Sequence, residues 1–212
     1  MKLILGSDIS FLLEYGYNLT GIPKEQMKIG YITTASKGDR TDFNKKLKQI
    51  IKDNGYSFEE IDIEGKTKEE LINLFKDKNI IHIEGGSTFY LLRAIRKSGF
   101  AEVLKEFLEE GKIYIGTSAG SYIMCPTIEV SDWDRTGKDR FGVTDFTALN
   151  YVSFVLKAHY TDEKETEVKE NMKNSKYPIR LLKDGQGILI EDDNTTFFGK
   201  EPETVLNTKS AI

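Results

Sequence analysis

The chain has few of the residues that build disulfide frameworks and metal centres. It contains one cysteine, Cys125, and two histidines, His82 and His159. A single cysteine excludes an internal disulfide, and two histidines cannot assemble a multi-histidine metal site. We therefore expect any catalysis to proceed without a metal and without a cofactor.

Excess positive charge and long apolar runs are also missing. The chain has 30 Lys and Arg against 34 Asp and Glu, a net charge of -4, so it lacks the basic character of nucleic-acid or anionic-membrane binders. Its apolar runs are a few residues long, whereas a membrane span needs roughly 20. The start, MKLILGS, lacks the apolar region of a signal peptide. We expect a cytoplasmic protein with a small substrate.

Short β-branched runs alternate with longer helical patterns along the chain. The predicted strands are KLILG (2–6), KIGYIT (28–33), FEEIDI (58–63), NIIHIEG (79–85) and KIYIG (112–116). The predicted helices cover about 41–54, 67–77, 87–98 and 100–110. This alternation predicts one α/β domain over 1–212, with a mainly parallel sheet covered by helices on both faces. Ligands then bind at the carboxyl ends of the strands.

The second half of the chain follows the pattern less regularly. The region 126–157 contains SDWDRTGKDRFG, which is typical of a polar loop or a short excursion from the sheet. Near the end, GILIEDDNTTFFG predicts a β-hairpin that turns at Asp192 to Asn194.

The stretch KIYIGTSAGSYIM, residues 112–124, places small residues between an apolar run and a predicted helix. This order is typical of a nucleophile elbow, where the turn is so sharp that the residues two before and two after the nucleophile must be small. Gly116 and Gly120 meet that requirement and put Ser118 at the nucleophile position. A tight turn without a catalytic role has the same pattern, so the surrounding motifs must decide between the two.

A glycine pair follows the preceding predicted strand, in HIEGGSTFYLLRAI, residues 82–95. It again leads from a strand into a helix. The backbone N–H groups of Gly86 and Ala119 could therefore form an oxyanion hole, which acyl transfer requires. The alternative is a helix start without function, whereas the phosphate-binding glycine motifs are absent.

A serine nucleophile needs an imidazole base whose tautomer is held by a third group. His82 lies inside the fourth predicted strand, where a histidine packed in the sheet is the ordinary explanation. His159 ends the apolar run YVSFVLKAHY and precedes the polar stretch TDEKETE. That boundary is where a base at a strand end belongs, so we predict that His159 is the base.

Five segments together resemble the dipeptidase E and cyanophycinase family of serine peptidases. They are YITTAS (31–36), EGGSTFYLL (84–92), YIGTSAG (114–120), PTI (126–128) and AHY (158–160), in the family's order over most of the chain. The resemblance implies a three-layer α/β sandwich similar to class I glutamine amidotransferases. It also implies cleavage of short peptides by a Ser-His-acid triad through an acyl-enzyme on the serine.

By position, the resemblance makes Ser118 the nucleophile, His159 the base, and the backbone amides of Gly86 and Ala119 the oxyanion donors. The acid of the family falls in a Glu-Gly step before a late strand, which here reads Asp184-Gly185. Asp184 is therefore the predicted third member of the triad. Three other carboxylates compete with it, namely Asp132, Asp134 and Glu191.

The sequence departs from the family at three positions beside the expected pocket. Ser87 replaces a usual Asn, Thr117 replaces a common aromatic residue, and Ala158 replaces the Pro often found before the histidine. These changes bear on substrate preference and remove no catalytic group. Arg135, Arg140 and Lys157 are candidate partners for an acidic substrate side chain, with solvated surface charge as the alternative for each.

Two other functional classes share part of the pattern. An esterase of the α/β-hydrolase type has the elbow, but its usual order is Ser, acid, His, and its upstream His-Gly-Gly-Gly loop is missing here. A binding protein that keeps the fold without activity is the second alternative, and the retention of Ser118 and His159 disfavours it. Cys125 is interpreted as a buried free thiol.

Overall fold

The computed structural model describes residues 1–38, 41–133 and 139–206. The strands of the main sheet are β1 Lys2–Gly6, β2 Ile29–Ile32, β3 Phe58–Ile61, β4 Ile80–Ile83, β5 Ile113–Thr117, β8 Gly187–Glu191 and β9 Asn194–Phe198. Three short strands form a second sheet, β6 Val155–Lys157, β7 Ile179–Leu181 and β10 Thr204–Leu206.

Helices connect most of these strands. They are α1 Ile9–Phe11, α2 Tyr17–Leu19, α3 Thr41–Asp53, α4 Lys68–Phe75, α5 Thr88–Ser98, α6 Phe100–Glu109, α7 Ala119–Ile123, α8 Val130–Trp133 and α9 Glu165–Met172. A π-helical turn, Leu12–Gly16, joins α1 to α2. Short 3-10 helices occupy Lys24–Gln26, Thr34–Gly38 and Asp162–Lys164.

The main sheet is parallel except at one edge. Its order is β3-β2-β4-β5-β1-β8-β9, and the first five strands of that order run parallel. β8 lies antiparallel to β1 and β9 antiparallel to β8. The carboxyl end of β1 therefore meets the start of β8, where Gly6 pairs with Gly187. This reversal brings the loop before β8 to the edge where the parallel strands end.

Both faces of the main sheet are covered by helices. Successive side chains on a strand alternate between faces, so Ile4 and Leu5 of β1 enter different apolar clusters. One cluster includes Phe11 and Ile51 from the α1–α3 layer, and the other includes side chains of α4 to α7. The predicted three-layer α/β sandwich is therefore confirmed.

The five sequence-predicted strands and the helices between them are all present, with ends shifted by one or two residues. The hairpin near the end is also present, with Asp192 and Asp193 in its turn. The region 126–157 contains α8, a bridge between Thr127 and Thr147, and β6. His159 consequently follows a strand of the second sheet.

Candidate active site

Ser118 lies in a very tight turn between β5 and α7. Its backbone has φ 50° and ψ -107°, an unusual conformation for a non-glycine residue. A Cβ on Gly116 would lie 2.6 Å from the Gly120 carbonyl carbon, and one on Gly120 would lie 2.2 Å from the Ile83 oxygen. Glycine is therefore required on both sides of the serine, as the elbow pattern predicts.

Hydrogen bonds hold this turn against the neighbouring strands. The Ser118 N–H donates to the Gly6 carbonyl at 3.0 Å, and the Ser121 hydroxyl reaches the Gly6 and Gly116 carbonyls at 2.7 and 2.9 Å. The buried Tyr114 hydroxyl donates to the Gly120 carbonyl at 2.6 Å. The elbow is thus tied to β1 as well as to its own strand.

Three side chains form a hydrogen-bonded chain at this edge. His159 Nε2 lies 3.2 Å from Ser118 Oγ, and His159 Nδ1 lies 2.7 Å from Asp184 Oδ1. With its proton on Nδ1 and donated to the carboxylate, the ring can accept the serine proton at Nε2. The three residues singled out in the sequence therefore lie together, in the order that nucleophilic catalysis requires.

The position of His159 is set by contacts on both sides of it in the chain. Its own backbone is left-handed, with φ 55°. The Ala158 N–H donates to the Tyr122 hydroxyl at 3.0 Å, and the Tyr160 N–H donates to the Leu182 carbonyl at 3.0 Å. Because Tyr122 belongs to α7, the helix that follows Ser118 also positions His159.

Asp184 lies in the turn that precedes β8. The antiparallel course of β8 brings this turn to the carboxyl end of β1. Asp8, just after β1, accepts the Gly185 N–H at 2.9 Å and the Phe11 N–H at 3.3 Å. One carboxylate therefore caps α1 and fixes the turn that carries Asp184.

Asp8 is a residue of the site that the sequence motifs did not reveal. Burial raises the pKa of its carboxyl, but hydrogen bonds from the Gly185 and Phe11 amides and from Ser10 outweigh burial, so its pKa lies below 3.8. The available signal was the GSD step at the end of the first strand, where an aspartate can cap a following helix. That signal indicates a cap and gives no link to residue 185.

The two backbone amides expected in the oxyanion hole lie on either side of Ser118. Gly86 has φ 143°, and a Cβ there would lie 2.6 Å from the Ala35 oxygen, so only glycine fits. Ala119 is the first residue of α7. Neither N–H donates a hydrogen bond within the part of the chain that the structure describes. Both remain available to a ligand, and their role stays a prediction.

The competing residues lie elsewhere or are engaged. Asp132 forms two hydrogen bonds with Arg140, at 2.7 and 3.0 Å, and Glu191 lies at the far end of β8. His82 is 1% exposed and makes no hydrogen bond among the described residues. Asp134 and Arg135 lie outside the described residues.

Cys125 is buried within the core near the end of the elbow helix. Burial raises the pKa of its thiol to about 12, so the thiolate needed for nucleophilic attack is scarce at neutral pH. This agrees with its interpretation as a buried free thiol.

A cleft with a volume of about 790 Å³ opens over the three side chains, with Ser118, His159 and Asp184 in its wall. Gly86 and Thr117 also line it. The volume lies in the range of small-ligand pockets, about 300–1,000 Å³. Among the described residues, no group of three or more His, Cys, Asp or Glu side chains is arranged to hold a metal ion.

Comparison with known proteins identifies the family. A family model for peptidase family S51 matches residues 17–198. The chain belongs to peptidase family S51. The resemblance to the dipeptidase E family is thereby confirmed, and the family makes the chain a peptidase.

Several peptidases are similar in sequence to this chain, over different lengths. An uncharacterized peptidase of Pasteurella multocida is 26% identical over 202 residues, which cover 93% of this chain and 97% of the relative. An uncharacterized peptidase of Listeria monocytogenes is 28% identical, with 81% and 84% covered. A peptidase E of Shewanella sp. is 30% identical over 139 residues, 60% of this chain and 56% of that protein.

Solved structures support the fold. A crystal structure described as a peptidase E protein from Listeria monocytogenes superposes with a TM-score of 0.79 at 24% identity, covering 94% of this chain and 98% of that one. A peptidase from an actinobacterium gives a TM-score of 0.69 at 17% identity. As for the membrane, no helix within the described ranges is long and apolar enough to cross it.

Proposed function

We propose that the chain is a serine-type peptidase that cleaves short peptides, in the manner of a dipeptidase, through an acyl-enzyme on Ser118. The observation that carries this proposal is the chain of hydrogen bonds from Asp184 through His159 to Ser118 at the elbow. Membership of family S51 supports the peptidase class, and the serine mechanism rests on the geometry.

In the proposed first half-reaction, Ser118 Oγ attacks the carbonyl carbon of the scissile amide while His159 Nε2 takes the hydroxyl proton. Negative charge forms on the carbonyl oxygen, and the N–H groups of Gly86 and Ala119 stabilise it. The carbon–nitrogen bond then breaks, and Nε2 returns the proton to the leaving amine. Asp184 holds the ring in the required tautomer and stabilises the imidazolium that forms.

The second half-reaction repeats these steps with water. His159 Nε2 takes a proton from water as the oxygen attacks the acyl carbon, and the same two N–H groups stabilise the oxyanion. The ester bond to Ser118 breaks and its oxygen recovers the proton from His159. The products are an amine and a carboxylic acid, with no cofactor consumed.

The size of the cleft supports a short substrate. About 790 Å³ accommodates a ligand of a few residues and leaves no room for a folded chain. The dipeptidase-like preference follows from this volume together with the family resemblance.

Labelling with a fluorophosphonate tests the mechanism. Because Ser118 is hydrogen-bonded to His159 and lies at a helix start, it should react far faster than ordinary serines, and mass spectrometry should find the adduct on the peptide containing Ser118. Ser118→Ala should remove the label. His159→Ala should also suppress it, whereas His82→Ala serves as the matched histidine control. Label on another residue, or none under conditions that label a known serine hydrolase, would overturn the proposal.

A further inference from the structure

The 3-10 helix Thr34–Gly38 packs directly behind the glycine pair that precedes α5. The Ser87 N–H donates to the Ala35 carbonyl at 3.0 Å. A Cβ on Gly86 would lie 2.6 Å from the Ala35 oxygen and 3.0 Å from the Ser36 nitrogen, so the two backbone segments are in close contact. The placement of the Gly86 N–H therefore depends on where this 3-10 helix lies.

One buried hydroxyl ties the 3-10 helix to the segment that follows β3. Thr34, the first residue of this helix, is 0% exposed. Its Oγ1 accepts the Ile63 N–H at 3.0 Å and donates to Asp62 Oδ1 at 2.8 Å. The preceding Thr33 N–H donates to the Ile61 carbonyl at 3.1 Å. Because a hydroxyl that both donates and accepts is held in one orientation, Thr34 fixes the start of the 3-10 helix.

Charged side chains link the other end of the 3-10 helix to α5. Lys37 forms ion pairs with Asp62 and with Glu64, the latter at 2.9 Å. Glu64 also accepts the Tyr90 hydroxyl at 2.7 Å and lies 3.3 Å from Arg93, and both of these residues belong to α5. These ion pairs are partly exposed, so each contributes little by itself. Together they close a ring of contacts from the segment after β3 through the 3-10 helix to α5.

We propose that Thr34 is a positioning residue for the oxyanion hole, which acts on the Gly86 N–H through the Ala35 carbonyl. Thr34 is absent from the cleft wall that the structure describes, so it acts from behind that wall. An oxyanion donor is effective only within about 2.7–3.1 Å of the place that the oxyanion takes, so a small shift of the 3-10 helix weakens it. This inference rests on the proposed function, because it needs Gly86 to donate to the oxyanion.

Thr34→Val removes the hydroxyl and keeps the shape of the side chain. The Ile63 N–H then loses its acceptor, and the start of the 3-10 helix is released. We expect kcat to fall on the order of 10- to 100-fold with KM changed by less than about threefold, because the oxyanion forms only in the transition state. Thr34→Ser keeps the hydroxyl and should recover most of kcat.

Thr20 offers a matched control for lost stability. It is 4% exposed, and its hydroxyl likewise accepts the Ile22 N–H at 3.1 Å and donates to the Tyr17 carbonyl at 2.6 Å. It follows α2, outside the described cleft wall. Thr20→Val should cost a similar free energy of unfolding in urea and keep kcat within about twofold. Equal losses of kcat in Thr20→Val and Thr34→Val would show that Thr34 acts only through stability, which would overturn the inference.

Nuclear magnetic resonance follows the Gly86 amide without turnover. Gly85-Gly86 is the only Gly-Gly step in the sequence. Protein made by cell-free synthesis with glycine carrying ¹⁵N and carbonyl ¹³C therefore gives a single HNCO peak, from the Gly86 N–H. Thr34→Val should move this peak, whereas Thr34→Ser and Thr20→Val should leave it nearly in place. A moved peak with unchanged kcat would overturn the role of Thr34 in catalysis.

Activity of the unmodified protein separates this inference from the proposed function. Unmodified protein that neither cleaves peptides nor reacts with a fluorophosphonate would overturn the proposed function and, with it, the inference. An active protein whose Gly86 peak is unchanged in Thr34→Val would overturn the inference alone. If Thr34→Val does not fold, Asp62→Ala decides instead, because it removes the acceptor of the same hydroxyl. It should move the peak and lower kcat, and no change in either would overturn the inference.

Discussion

The buried Glu84 carboxylate should make the stability of the protein fall as the pH rises through neutrality. Burial raises the pKa of this carboxyl from 4.5 to about 7. A hydrogen bond from the Tyr31 hydroxyl and the positive charge of Lys48 lower the pKa of Glu84, whereas the negative charge of Glu60 raises it further. The neighbouring His82 stays neutral over this range, because burial lowers its pKa to about 3.

The sign and size follow from the difference between the folded and unfolded states. Because the pKa of Glu84 is raised in the folded protein, the stabilising contribution is complete below the unfolded value of 4.5 and is lost as the pH rises through about 7. This difference between the pKa of Glu84 in the folded and unfolded states corresponds to on the order of 3 kcal/mol in the free energy of unfolding. Above pH 7 the protein therefore carries a buried negative charge at Glu84.

Glu84→Gln removes the charge and keeps the shape, so urea unfolding followed by circular dichroism measures the effect. At pH 8 the variant should be more stable than the unmodified protein by on the order of 3 kcal/mol, and at pH 4.5 the two should agree within about 1 kcal/mol. Glu109→Gln, at an exposed position on α6 that does not act on Glu84, should differ from the unmodified protein by the same small amount at both pH values. The same difference in stability at both pH values would mean that burial does not raise the pKa of Glu84.

Two further substitutions test the residues that orient the base. Asp184→Asn should lower kcat by about 10³ or more because the imidazole loses the carboxylate that holds its tautomer, whereas Asp132→Asn should stay within about tenfold. If kcat of the folded protein falls more in Asp132→Asn than in Asp184→Asn, the carboxylate that orients His159 would be Asp132 on α8 instead. Asp8→Ala should lower kcat on the order of 10- to 100-fold with KM little changed, because the turn at Gly185 is released. Asp8→Asn keeps an acceptor oxygen and should recover part of kcat; lost stability with unchanged kcat would make Asp8 only a helix cap.

The parallel part of the sheet could be predicted from the sequence because its strands are buried on both faces. β4 (IIHI) and β5 (IYIGT) are short, mostly β-branched and fully buried runs followed by glycine and polar residues, which is how such strands differ from helices. The elbow could be predicted for a related reason. A Cβ on Gly116 or Gly120 would lie less than 3 Å from backbone atoms, so only glycine fits at these positions. The steric requirement is therefore visible in the sequence as two glycines at fixed spacing.

The second sheet could not be predicted in the same way. β6, β7 and β10 have three residues each, too few for an alternating pattern to stand out. His159 follows the first of these strands, so its proximity to Ser118 depends on a part of the fold without a clear sequence signal. The polar boundary after YVSFVLKAHY singled out His159, which the structure places beside Ser118 although its strand lies in a different sheet from Ser118.

His82 shows that strand periodicity alone does not explain a polar residue inside a predicted strand. The sequence favoured a histidine packed in the sheet at position 82, since strand periodicity says which residues share a face and nothing about what covers that face. The structure places His82 against the rings of Tyr17 and Tyr31, at the border of the cleft that opens over Ser118. A core histidine has its hydrogen bonds satisfied, whereas His82 has none among the described residues. The unpaired ring nitrogens, rather than the burial, are therefore what separates His82 from an ordinary core histidine.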